Sequence, residues 1–292
     1  MKDFALYLGC LTPTRVPSYE VALRKTSEKM GLRFIEMENT TCCSPMSILS
    51  LDYFTTLSIG ARNLAIVEEM GLDTMVTPCN GCFEGLKKAA AILRNYPETL
   101  EQVNEILATV DKEYKGTVEV RHLSKVYYDE VGVDKIKELM VKPFDSLRIG
   151  IRPGCHLMKP TAITGIDYSE RYVFLDDLIK ATGAESVYYK HRFRCCGGLL
   201  RNVSEEVTEG MLRERLIELK KGDIDCAVTV CPLCFLQYDL GQKLVERKFK
   251  EKYNIPILIY SELLGLGMGL SAEELGLKTH RVKLDSVLEK IS

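Results

Sequence analysis

A chain of 292 residues, 46% hydrophobic and 27% charged, has the composition of a globular protein with room for one large or two ordinary domains. Its net charge of −2 gives no global attraction to nucleic acid or to an anionic membrane surface, and neither is expected as a partner. The start of the chain carries Asp3 and reaches Cys10 too soon for a secretory leader. The most apolar run, 255–270, is interrupted by Ser261 and Glu262 and is too short to span a bilayer, so the expected location is cytoplasmic. In that reducing setting eleven cysteines, an odd number, argue against a disulfide scaffold and for metal or redox chemistry.

Taken in order, residues 4–8 read as a buried strand running into Gly9-Cys10. Ser18 is placed to cap a helix through Met30, with Gly31 as its stop. Residues 32–37 form the next strand, followed after a polar loop by Cys42-Cys43. Leu57, Ala61, Leu64 and Val67 recur at helical spacing within 53–70, and 74–77 is a strand closed by Pro78 before Cys79. Helices are expected over 83–93 and 100–110, then a strand over 118–123 that leads through Ser124 into a further helix. Residues 140–145, with Pro143, read as a linker.

The second half repeats this order. A strand over 147–151 runs into Pro153-Gly154-Cys155, a helix covers 172–181, and a strand over 186–189 precedes Cys195-Cys196. The segment 207–220 is amphipathic, 226–230 is a strand ending at Cys231, 235–249 is a helix and 255–259 a last strand. Alternating strands and helices imply parallel sheets with right-handed crossovers. The expected fold is α/β: two duplicated, doubly wound parallel-sheet halves, 1–142 and 143–292, with cysteines gathered at the carboxyl ends of the strands, where such sheets bind ligands.

The duplication is clearest in the cysteines. Cys10, Cys42, Cys43, Cys79 and Cys82 are spaced C-x31-CC-x35-C-x2-C, and Cys155, Cys195, Cys196, Cys231 and Cys234 are spaced C-x39-CC-x34-C-x2-C. Five sulfurs per half exceed the four of a structural zinc site or a cubane cluster. Adjacent side chains in extended backbone point to opposite sides, so a CC pair suits a larger centre. Spacing alone leaves open an iron–sulfur cluster of unusual shape, zinc, and thiol–disulfide exchange. Cys226 lies outside the pattern and alternates with Val228 and Val230, as a buried structural thiol would.

At these residues the chain resembles the cysteine-rich CCG family, and its tandem arrangement resembles the B subunits of heterodisulfide reductases from methanogenic archaea. Gly197 supplies the glycine of the motif in the second copy, whereas Ser44 stands there in the first. The resemblance implies two noncubane [4Fe-4S] clusters, one on Cys10, Cys42, Cys43, Cys79 and Cys82, the other on Cys155, Cys195, Cys196, Cys231 and Cys234. It implies reduction of the coenzyme M–coenzyme B heterodisulfide to two thiols in the last stage of methanogenesis. It also implies a ferredoxin-like subunit with cubane clusters and a flavin-containing subunit linked to a hydrogenase or other donor, since this chain has neither a ferredoxin run nor a dinucleotide fingerprint. Such a substrate is anionic, and the second half crowds cations near its cysteines: Arg152, His156, Lys159, Lys190, His191, Arg192, Arg194 and Arg201, against Arg15 in the first. His156, Lys159, Arg192 and Arg194 are the candidate substrate contacts. The rival readings are a CCG subunit of a lactate, glycolate, succinate or thiol:fumarate system, and a zinc-stabilised scaffold without turnover.

Overall fold

The computed structural model describes residues 3–43, 52–169 and 171–291. In the first half, β1 (Asp3–Leu6) leads through α1 (Leu11–Arg15) and α2 (Pro17–Lys29) to β2 (Arg33–Glu36). Then come α3 (Tyr53–Glu69), β3 (Thr74–Thr77), α4 (Asn80–Asn95), α5 (Pro97–Ala108) and β4 (Glu119–His122). The half closes with α6 (Leu123–Val126), a π-turn over Tyr127–Val131 and α7 (Val133–Glu138). The strands are parallel in the order β2-β1-β3-β4.

The second half runs from β5 (Arg148–Arg152) through α8 (Cys155–Met158), α9 (Thr161–Thr164) and α10 (Phe174–Ala181) to β6 (Glu185–Ser186). It continues with α11 (Glu205–Lys221), β7 (Cys226–Thr229), α12 (Pro232–Phe249), β8 (Ile257–Ile259), α13 (Tyr260–Gly267) and α14 (Asp285–Ile291). Its order, β6-β5-β7-β8, is the same topology, again all parallel. The central strands β3 and β7 are buried along their whole length, as a sheet covered by helices on both faces requires.

Local chemistry explains where the elements begin. Asp52 accepts from the Thr55 amide at 2.8 Å to cap α3, and Ser204 accepts from Val207 at 3.3 Å to cap α11. The expected cap at Ser18 is not used. Pro17 starts α2 from Val16, and Ser18 is buried with its hydroxyl unpaired. Ser124 likewise yields to His122, whose ring accepts from the Ser124 amide at 3.2 Å. The strand expected over 186–189 is cut to two residues, because the chain turns away through 190–193.

The halves pack through α2 against α13 and α4 against α8. The buried Tyr19 hydroxyl lies 3.0 Å from the Pro78 carbonyl and 3.2 Å from that of Val230, so one donor spans the ends of β3 and β7. Tyr127 bonds Ser27 at 3.2 Å and Ser261 at 3.3 Å across the same seam. The linker is pinned to the second half by Val141 and Lys142 amides on the Gly267 carbonyl and by Phe144 on Thr182. Among the described residues no helix is long and apolar enough to cross a membrane.

Candidate functional site

All ten patterned cysteines line one cavity between the halves. Leu8, Leu11, Leu199 and Leu233 supply apolar wall, and Asn80 and His156 bring the nitrogen-bearing side chains. Cys226 is not part of it; the residue is fully buried in β7, where burial pushes its thiol up to about 12.

Three local devices in each half aim sulfur at the cavity. First, Cys79 and Cys231 are the N-caps of α4 and α12, in near-identical extended conformations (φ −118°, ψ 123° and φ −137°, ψ 126°). Each C-x-x-C therefore straddles a helix start, and amides of the first turn reach back to its first sulfur: that of Cys82 to Cys79, and those of Asn80 and Cys234 to Cys231. Secondly, the glycine before Cys10 and that before Cys155 have φ of +69° and +82°. A Cβ on Gly9 would lie 2.9 Å from the Cys82 sulfur, and one on Gly154 only 2.2 Å from the Asn80 amide nitrogen.

Thirdly, the CC loops are clamped from neighbouring helices. In the first half Asn63 of α3 accepts from the Thr41 amide at 2.9 Å and donates to the Cys42 carbonyl at 3.1 Å. In the second, Gln237 of α12 donates to the Cys196 carbonyl and Thr208 of α11 to that of Gly197, both at 3.2 Å. Gly197 sits at φ +79°, and a Cβ there would lie 3.3 Å from Thr208 Cα, which is why the motif has glycine at this point. The amides of Gly197 and Gly198 donate to the sulfurs of Cys195 and Cys196 at 3.3 and 3.4 Å. Ser44 lies outside the described residues. Asn63, Thr208, Gln237 and the two pre-cysteine glycines carry no cysteine-like signal, and sequence reasoning missed them.

The thiols form a continuous series. Cys42, Cys43, Cys82, Cys79, Cys231, Cys234, Cys196, Cys195 and Cys155 each lie close enough to the next to alter its proton affinity. The sulfurs of Cys196 and Cys234 are 3.7 Å apart, and the Cys79–Cys231 step joins the halves. Hydrogen bonds from their neighbours pull Cys43 down to about 4 and Cys195 to about 2, whereas Cys82 and Cys234, as donors in buried surroundings, are pushed up. So many sulfurs cannot ionise together in an apolar space unless cations balance them. The donor set fits metal on chemistry alone: soft thiolates, amide donors to sulfur and a largely apolar lining.

The expected substrate contacts are placed very differently from one another. His156 faces the cavity, its Nδ1 3.5 Å from the buried carboxylate of Glu84, which raises its pKa. Lys159 is exposed and lines an adjoining pocket with Glu84, His156 and Tyr168. Arg192 is 1% exposed and grips Asp176 through two bonds of 2.8 and 2.9 Å, so its charge is spent inside the protein. Arg194 is exposed, in a side groove with Tyr188, His191 and Phe193 that shares no cysteine with the cavity.

Two four-stranded parallel halves of one topology, each carrying C…CC…CxxC at its strand ends, define a tandem cysteine-rich domain protein. The CCG cysteine-rich domain model matches residues 4–87 and 149–239. The chain is 38% identical, over 100% of its length and 97% of the relative's, to the B subunit of the ferredoxin/F(420)H(2)-dependent CoB-CoM heterodisulfide reductase of Methanosarcina acetivorans. It is 31% identical, over 94% of its length and 95% of the relative's, to the 8-methylmenaquinol:fumarate reductase membrane anchor subunit of Wolinella succinogenes. The chain belongs to the CCG family, in its branch of heterodisulfide reductase B subunits. A hypothetical protein of Helicobacter pylori shares the fold, with a TM-score of 0.77 at 19% identity over 97% of this chain and 52% of that one.

Proposed function

We propose that this chain is the catalytic iron–sulfur subunit of a cytoplasmic heterodisulfide reductase, reducing the coenzyme M–coenzyme B disulfide to two thiols. The observation that carries the reading is the single cavity that both cysteine sets line. Halves 1–142 and 143–292 would each hold one noncubane [4Fe-4S] cluster, on Cys10, Cys42, Cys43, Cys79 and Cys82 and on Cys155, Cys195, Cys196, Cys231 and Cys234. When bound, such clusters supply single electrons, two of which are needed to cleave an S–S bond, and iron that can take up sulfur. Five sulfurs per half exceed the four that one tetrahedral zinc ion takes, which favours a larger centre.

The chain's own residues then have distinct tasks. Leu8, Leu11, Leu199 and Leu233 give the reacting sulfurs an apolar surround, and the N–H···S bonds of Gly197 and Gly198 hold the CC pair in place. Lys159, exposed in the adjoining pocket, and His156, at the cavity but paired with Glu84, are the expected contacts still placed to meet an anionic substrate. Electrons would arrive from a ferredoxin-like subunit with cubane clusters and, behind it, a flavin subunit and a hydrogenase or comparable donor. The fumarate reductase relative favours a second reading, in which the same paired site serves a quinol–fumarate chain.

Anaerobically purified protein is expected to hold roughly eight iron atoms and as many sulfides, four per site. It should reduce the heterodisulfide, but not fumarate, with a viologen donor. Removing either site alone, by Cys42→Ala with Cys43→Ala or Cys195→Ala with Cys196→Ala, should abolish turnover, because one electron cannot release two thiols. Stoichiometric zinc without labile sulfide would overturn the assignment. Substantial activity in a single-cluster protein would replace paired action by a relay.

A further inference from the structure

Two side chains in register perform one structural task with different charge. Counting back from the first cysteine of each half, Tyr7-Leu8-Gly9-Cys10 aligns with Arg152-Pro153-Gly154-Cys155. Both positions lie at the ends of equivalent strands, β1 and β5, and both side chains are 1% exposed. The Tyr7 hydroxyl donates at 2.6 Å to the carbonyl of Thr41, the residue before Cys42. Arg152 donates through Nη2 to the carbonyl of Arg194, the residue before Cys195, and through Nη1 to that of Arg192. Holding the loop ahead of each CC pair takes only a donor, as Tyr7 demonstrates. In the second half that donor also brings a full positive charge into the interior.

Among the described residues no carboxylate is bonded to that charge. Neither of the two bonds that Arg152 makes reaches an acid, its Nε is buried without a partner, and its guanidinium lies 5.5 Å from the Tyr238 ring centroid. Besides the rings of Tyr238 and Tyr189, the groups close enough to act on its charge are the sulfurs of Cys234 and Cys196. Asp176, the buried acid that anchors this loop system, is committed to Arg192. A desolvated cation needs an anion, and the sulfur centre beside it is the one on hand.

We infer, on the reading that each half holds a cluster, that Arg152 is the counter-charge of the second centre and makes it the more easily reduced of the two. Adding an electron raises the negative charge of either centre by one, and a fixed cation in a low-dielectric surrounding favours the reduced form. Among the described residues of the first half no equivalent cation is buried beside its cysteines. Arg15 is exposed, and Arg62, bonded to the Asn39 carbonyl, is partly exposed, so water screens both. His156 is paired with the buried carboxylate of Glu84, so its charge is offset where that of Arg152 is not. The first electron entering the pair would therefore reside on the second centre. Arg152 acts through the centre rather than on substrate, as a tuning residue.

The test is an anaerobic dithionite titration followed by EPR. Signals are assigned with the two proteins that lack one CC pair, Cys42→Ala/Cys43→Ala and Cys195→Ala/Cys196→Ala. The second centre should have the higher midpoint potential. Arg152→Gln should lower that potential and leave the first centre unmoved, whereas Arg152→Lys, which keeps the charge, should stay near wild type. Equal or reversed potentials in wild-type protein overturn the inference, and this comparison decides it even if Arg152→Gln fails to fold. An unchanged potential in an iron-replete Arg152→Gln protein, or an equal drop in Arg152→Lys, also overturns it. Wild-type protein without iron at the second site would instead refute the cluster assignment, and this inference with it.

Discussion

Arg192 and Arg194 stand two positions apart and look alike in the sequence, yet one is an internal ion pair and the other a surface cation. Arg192 holds Asp176, and Asp176 in turn accepts from the Val173 amide at 2.8 Å and the Ser186 hydroxyl at 2.6 Å, tying the loop before Cys195 to α10. Truncating Arg192 leaves a buried carboxylate uncompensated, which typically costs about 3–5 kcal/mol. Arg192→Ala is thus expected to lower unfolding stability by that amount, and Arg194→Ala by under about 0.5 kcal/mol, as for an exposed side chain. Urea titrations of the two proteins side by side check this. Near-native stability in Arg192→Ala, with a raised KM for the disulfide, would return Arg192 to the substrate site. The ten cysteines were legible because their spacing repeats. The fate of the cations was not, because a charge count cannot tell a residue facing a cavity from one facing Asp176.

At the scale of elements, the largest departure from the sequence pattern is at the helix starts. C-N-G-C and C-P-L-C read as loops, which predicts α4 and α12 from Phe83 and Phe235; both begin three residues earlier, inside the motif. Pro232 is a signal for this in the second copy, since proline suits the first helical position, but Asn80-Gly81 argues against helix and is overruled by packing. A further element, α13, reads in the sequence as the tail of an apolar run. Its Glu262 accepts from the Ile259 amide at 2.8 Å and bonds the buried His280 at 3.2 Å. Burial opposes charge on His280, but Glu262, helped by Asp239, outweighs it and raises the pKa from its ordinary value. A raised folded pKa means that the pair's contribution is fully present below the unfolded value of about 6.5 and fades as pH climbs through the folded value. Wild-type protein should therefore lose more stability than His280→Gln between about pH 6.5 and the alkaline side. Parallel denaturation curves in that range test it, and matching slopes would remove the pair from the pH response.

For the whole molecule, the duplicated topology was readable from the repeated order of strands, helices and cysteines. The way the halves meet was not, because it depends on single side chains: Tyr19 across Pro78 and Val230, Tyr127 between Ser27 and Ser261, and Asn80 donating to the Pro153 carbonyl at 2.7 Å. None of these has a periodicity or a motif to announce it. Of these, Tyr19 spans the ends of β3 and β7, where Cys79 stands beside Cys231. That contact leaves the empty polypeptide open to a chemical trap. Two neighbouring thiols that lose two electrons and two protons to dioxygen become a disulfide, and here the bond would staple one half to the other. Chain that has met air before acquiring its metal should yield a Cys79–Cys231 linked peptide by mass spectrometry without reductant. It should take up iron again only after dithiothreitol opens the staple. Bridges confined to Cys79–Cys82 and Cys231–Cys234 would show that the seam parts in the unloaded chain. If the staple forms, cofactor insertion has to outrun oxidation, and the seam that assembles the site also sets a time limit on its maturation.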